Sequence, residues 1–235
     1  MVRRAYESVQ AAYAKLGVAP QWPVSLVVEN MEIMGATQSR PGGGHLIHVS
    51  LRAAKSEMLA GLIAHEMGHI ARTEARHPSH NPTIHDRAMA RLRVPPGFRR
   101  GFPRLAHNAI NHVEDIYADD YAMTVIGTDR AHGFFAEWVG NAASIAAAGT
   151  RWDEVAGALD IAFSLGNLAR HRLLRANDPL RREAETFAKT HGIEALDALT
   201  ALFRDLPDPV SDAECEEILV TLLETTLREL QRASA

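Results

Sequence analysis

The stretch "GLIAHEMGHIA", residues 61–71, sets two histidines four positions apart, with a glutamate beside the first, in a run otherwise patterned as a buried helix. Met58, Leu59, Leu62, Ile63, Met67 and Ile70 recur at intervals of three and four, which predicts a helix over about 56–76. Unpaired polar groups among such residues would be costly to bury. On a helix, positions i and i+4 share a face, so His65 and His69 can reach one metal ion, while Glu66 points roughly 100° around the axis. Two neutral imidazoles suit Zn²⁺, and a carboxylate at that offset is placed to take a proton from a water beside the ion. The bland alternative is a helix with solvated or internally satisfied polar residues.

Working outward, residues 3–16 read as a short amphipathic helix stopped by Gly17 and Pro20. "PVSLVVEN" (23–30) and "HLIHVSL" (45–51) read as strands of a small sheet, with a third short strand near 31–37. Residues 77–103 carry five prolines and two glycines and predict a long connection with one short helical piece around 84–92. A second strong helix is expected over 104–126, ended by Gly127. Alanine- and leucine-rich segments near 131–148, 152–176, 179–191, 194–204 and 211–232 make the remainder helical.

In the second strong helix, "NAINHVEDIYADDYA" (108–122), the apolar set Ala106, Ile110, Val113, Ile116 and Tyr117 defines one buried face. A different stripe holds Asn111, Asp115, Ala118 and Ala122, whose alanines suit close packing against Gly61, Ala64 and Gly68. Asp115 has Asp119 one turn on and in phase, whereas Glu114 has Ala118. Asp115 is the candidate third metal ligand, with Glu114 as the alternative, and Asp119 is placed to orient a ligand histidine through its free ring nitrogen. A charged, solvated helix face is the plain reading of the same carboxylates. His77, His80 and His85 read as solvated loop histidines, with a second metal site as the rival. His45 and His48 read as surface residues, and His107, His112, Tyr117 and Tyr121 receive no role.

The chain of 235 residues, 46% hydrophobic and 23% charged, can bury a sizeable core. A net charge of −4 gives no general attraction to nucleic acid or to an anionic membrane, and no apolar run is long enough to span one. The single cysteine, Cys215, excludes an internal disulfide and a cysteine-rich zinc module. That usage, with no signal-like segment after Met1, favours the cytoplasm.

"HEMGH" resembles the HExxH motif of the zincin metallopeptidases, in which two histidines bind zinc and the glutamate is the general base. The metzincin extension is absent, since Ala75 and Ser79 occupy the spacings of its glycine and third histidine. "DIYADDYA" is similar instead to the E-x-x-A-D-x-x-A pattern of gluzincin and M48-like peptidases, with Asp115 in place of glutamate, as in aspzincin-type sites. The resemblance implies one Zn²⁺ held by His65, His69 and Asp115, with Glu66 as base. It also implies hydrolysis of a peptide or protein substrate lying as an extended strand along an edge strand at 45–50. The expected fold is α+β and mostly α: a small N-terminal sheet with an edge strand, a zincin-like two-helix metal site, and a helical C-terminal part. The expected division is a core over 1–128 and a helical subdomain over 129–235, or one domain throughout. The rival function is a zincin-like module that binds metal and a protein partner with little or no turnover.

Overall fold

The N-terminal amphipathic pattern forms α1 (Val2–Lys15), burying Val9 and Tyr13, in a computed structural model that describes residues 1–40, 42–126 and 128–232. Contacts group the chain into two units, Met1–Asn81 with Tyr117–Arg130 and Pro82–Ile116 with Ala131–Ala235. This grouping differs from a linear division at residue 128, because the segment 82–116 clusters with the C-terminal helices. The fold is α+β and mostly α, with a small sheet near the N-terminus and a helical C-terminal part.

In the first unit, β1 (Val24–Glu29), β2 (Gly35–Arg40) and β3 (Gly44–Ser50) form a sheet in the order β1-β3-β2. β3 runs parallel to β1, with Leu26 opposite Ile47, and antiparallel to β2, with Thr37 opposite Ile47. This corrects the expected edge strand at 45–51. β3 is the middle strand, its backbone is paired on both sides, and Ile47 and Val49 are fully buried. An extended ligand cannot add to a strand already paired on both sides. The outer edges belong to β1 and β2.

α2 (Leu59–Glu74) packs Ile63, Met67 and Ile70 against Val9, Tyr13, Ile47 and Val49. Each such side chain contributes about 1.5–3 kcal/mol on burial. The Tyr13 hydroxyl donates to the carbonyl oxygen of Ala64 at 2.5 Å, tying α1 to α2, and burial raises its pKa.

The proline-rich connection holds a 3-10 turn at Pro78–His80 and α3 (Pro82–Arg91), followed by another 3-10 turn at Pro96–Phe98. α4 (Phe102–Ala122) is one continuous helix whose last residues, from Tyr117, belong to the first unit. It ends before Gly127, the expected stop, which lies outside the described residues.

The second unit adds α5 (Thr128–Ala147) from Ala131 onward, α6 (Arg151–Arg170), α7 (Pro179–His191), α8 (Leu196–Arg204) and α9 (Asp212–Arg232). α6 is apolar on nearly every side and is the central helix, packed against α7, α8 and α9. α3 is joined to α9 through Arg87 and Arg91 with Glu216 and Glu217. Among the described residues, no helix is long and apolar enough to cross a membrane.

Candidate metal centre

Helical spacing brings His65 and His69 onto one face of α2, where their Nε2 atoms face each other 3.1 Å apart. The rings meet edge to face, with centroids 4.7 Å apart. Nδ1 of His65 lies 2.8 Å from Oδ1 of the buried Asp119. An ionised carboxylate only accepts, so Nδ1 donates and the neutral ring keeps its lone pair on Nε2.

Two features hold the end of α4 against α2. At Gly68, any Cβ would lie 2.4 Å from the carbonyl oxygen of Ala118, so the helices meet backbone to backbone at the motif. One turn on, the buried Arg72 donates through Nε to the carbonyl oxygen of Tyr117 at 2.9 Å and stacks over the Tyr121 ring at 4.4 Å. The alanine-for-glycine complementarity expected between these helices is present at Gly68 and Ala118. Gly61 instead faces the side chain of Ile126.

Asp115 precedes Asp119 by one turn of the same helix. His65, His69 and Asp115 each offer one ligand atom, all within 4.8 Å of one another. Glu114 is not in that group, and its Oε1 lies 3.9 Å from Nε2 of His85. Of the two candidate carboxylates, Asp115 is the one grouped with the histidines.

His112 sits one turn before Asp115, fully buried and stacked on Phe163 with 4.4 Å between ring centroids. Its Nε2 lies 2.8 Å from Oδ1 of Asp160, which also accepts from Asn108, and its Nδ1 lies 3.8 Å from Oδ2 of Asp115. Burial opposes the charge on this ring, but the Asp115 and Asp160 carboxylates outweigh it and raise the His112 pKa to about 9. His112 therefore lies behind Asp115 in the core, and Tyr117 is likewise core.

Glu66 is buried, and its Oε2 accepts a hydrogen bond from the Thr37 hydroxyl at 2.7 Å. β2 comes this near because Gly35 has no side chain: a Cβ there would lie 2.9 Å from Leu62 Cδ1 and 3.0 Å from Glu66 Oε1. The edge strand beside the candidate base is thus β2. It is the third short strand expected near 31–37, found instead at Gly35–Arg40, and its sequence, GATQSR, has no apolar alternation to fix its bounds.

Three other histidine readings change, and the first is His77, which is buried with its ring against that of Tyr117. His45 is buried, with Nδ1 2.8 Å from Ser39 Oγ and Nε2 2.8 Å from Glu74 Oε1. His80 is held at the site, its Nε2 2.8 Å from Nδ1 of His69. His48 is half-buried beside Glu29. Thr37 and His80 are the contacts that sequence reasoning missed. Only the spacing of eleven residues between His69 and a histidine in a turn hinted at the second.

The donor set fits zinc. Two imidazole nitrogens and a carboxylate oxygen suit Zn²⁺, and three protein ligands leave one position open in a catalytic site. Ligand atoms about 2.0–2.1 Å from a tetrahedral ion lie about 3.3–3.4 Å apart, close to the 3.1 Å between the two Nε2 atoms.

No curated protein and no solved structure matches the chain. One family does, over residues 21–227. The chain belongs to the family described as "Family of unknown function (DUF5781)".

Proposed function

We propose that the protein is a zinc-dependent metallopeptidase. The observation that carries this reading is the convergence of two imidazole Nε2 atoms, 3.1 Å apart, with the Asp115 carboxylate, beside a buried glutamate. His65, His69 and Asp115 would hold the ion, and Asp119 keeps the His65 ring in its ligating tautomer. A bound Zn²⁺ supplies Lewis acidity, polarising a carbonyl and lowering the pKa of water toward about 7.

Glu66 acts as general base, taking a proton from the attacking water and returning it to the leaving amine. The Thr37 hydroxyl donates to Oε2 and so fixes the orientation of the carboxylate. The substrate is a peptide or protein segment, extended along the outer edge of β2, where unpaired backbone groups are available to it. The single buried cysteine accords with a cytoplasmic setting.

The test is Glu66→Gln. Hydrolysis of an unstructured protein should fall by about 10²–10⁴-fold, the usual scale for loss of a general base, with stoichiometric zinc retained. Full activity in that variant overturns the mechanism. Zinc binding by the wild type without cleavage of any of a panel of unstructured proteins supports the metal-binding interaction module instead.

A further inference from the structure

α2 does not lead straight into the connection that follows it. Arg76 takes a left-handed conformation (φ 53°), and the backbone N–H of His77 returns to the carbonyl oxygen of Arg72 at 2.9 Å. The reversed chain enters the 3-10 turn Pro78–His80 and brings three polar side chains back toward α2. They form a continuous series: His69 Nδ1 to His80 Nε2, His80 Nδ1 to Ser79 Oγ, and Ser79 Oγ to His77 Nδ1, each at 2.8 Å.

The direction of that series is set at one end. The backbone N–H of Ser79, which can only donate, points at His77 Nδ1 at 3.3 Å. His77 Nδ1 is therefore an acceptor, so the Ser79 hydroxyl donates to it and must accept from His80 Nδ1–H. A neutral His80 protonated on Nδ1 carries its lone pair on Nε2 and accepts from His69 Nδ1–H. The neutral His69 ring is left with its lone pair on Nε2, the atom facing His65 Nε2.

We propose that His80 and Ser79 are positioning residues that impose the ligating tautomer on His69, as Asp119 does on His65. The inference rests on the metal site proposed above. The two ligand rings are thereby held by different chemistry, one by a carboxylate and the other by a neutral relay that begins at a backbone amide. A neutral acceptor adds no negative charge beside the ion. With Asp115 as the one ligand carboxylate, Asp119 is the one acidic group that supports a ligand ring through this pair of Nδ1 contacts.

The experiment measures zinc affinity by chelator competition for wild type, His80→Ala, His80→Gln and Ser79→Ala. A second readout is the imidazole Nδ1–H resonance of His69 in the zinc-loaded protein. His80→Ala should weaken zinc binding by about 10–100-fold, the scale for loss of a ligand's hydrogen-bond partner, and should expose the His69 Nδ1–H to exchange with water. His80→Gln should restore most of the affinity, since its side-chain carbonyl can accept from His69. Ser79→Ala should fall between wild type and His80→Ala.

Unchanged affinity together with a protected Nδ1–H in His80→Ala overturns the relay and leaves the metal site standing. Wild-type affinity in Ser79→Ala overturns the directional role of the hydroxyl. Failure of the wild type to bind zinc overturns the metal site itself, and the relay with it.

Discussion

Gly68 and Ala118 meet without an intervening side chain, since a Cβ on Gly68 would stand 2.4 Å from the Ala118 carbonyl oxygen. A methyl group there forces the end of α4 away from α2. Gly68→Ala should destabilise the protein by about 1–3 kcal/mol, outweighing the helix propensity of alanine, worth up to about 1 kcal/mol. Urea unfolding measures this, with Gly61→Ala as a milder comparison because Gly61 meets only flexible side-chain atoms. An unaltered midpoint for Gly68→Ala would contradict the close approach.

The two candidate carboxylates separate by substitution. Asp115→Ala should reduce zinc affinity by more than the roughly 10–100-fold expected when only a supporting residue is lost. Glu114→Gln should leave it near wild type, because the carboxylate grouped with the two histidines is that of Asp115. Chelator competition reads both, and the opposite ranking would move the third ligand to Glu114.

Thr37→Val keeps the shape of the β2 side chain and removes the donor to Glu66 Oε2. A hydrogen bond to a charged group contributes about 1.5–3 kcal/mol, so turnover should fall by roughly 10–100-fold, with zinc affinity unchanged. Steady-state kinetics on a cleaved peptide checks this. Equal loss of zinc binding would show that Thr37 supports the fold of the site and not its base.

Glu74 provides a pH dependence in stability. Burial pushes its carboxyl pKa upward, but the backbone N–H groups of Gln21 and Trp22 and the His45 ring outweigh this and hold it below the ordinary value. A carboxyl group depressed on folding stabilises the protein above its unfolded pKa, and that contribution disappears as pH falls through the folded value. Acid unfolding of Glu74→Gln should therefore be less steep below about pH 4.5, the ordinary region for a glutamate. Identical acid profiles would assign the wild-type slope to other groups.

The motif helix, the N-terminal helix and the C-terminal helices were legible because each has a local apolar period, and α2, α1 and α5 to α9 lie close to the expected positions. The candidate ligands were legible for the same reason, since His65, His69, Asp115 and Asp119 are related by helical phase. Strand order was not, because it depends on pairing between distant residues. The apolar β3 resembles an edge strand in isolation, while the polar β2 is expected only as a short strand a few residues too early, near 31–37. His80 was hidden by the backbone reversal at Arg76, a left-handed conformation that nothing in arginine's chemistry announces. His45 looked like a surface residue because its partner, Glu74, lies at the far end of α2.

The return of Tyr117–Arg130 to the unit formed by Met1–Asn81 constrains how the molecule can be divided for expression. A fragment ending at residue 81 lacks the stretch that covers Gly68 and accepts from Arg72. One ending at 128 retains that stretch but strands α3 and the start of α4 without the helices they cluster with. Because α4 serves both units, neither truncation yields an intact half, and the shared helix makes the whole chain the minimal fragment for metal-binding work.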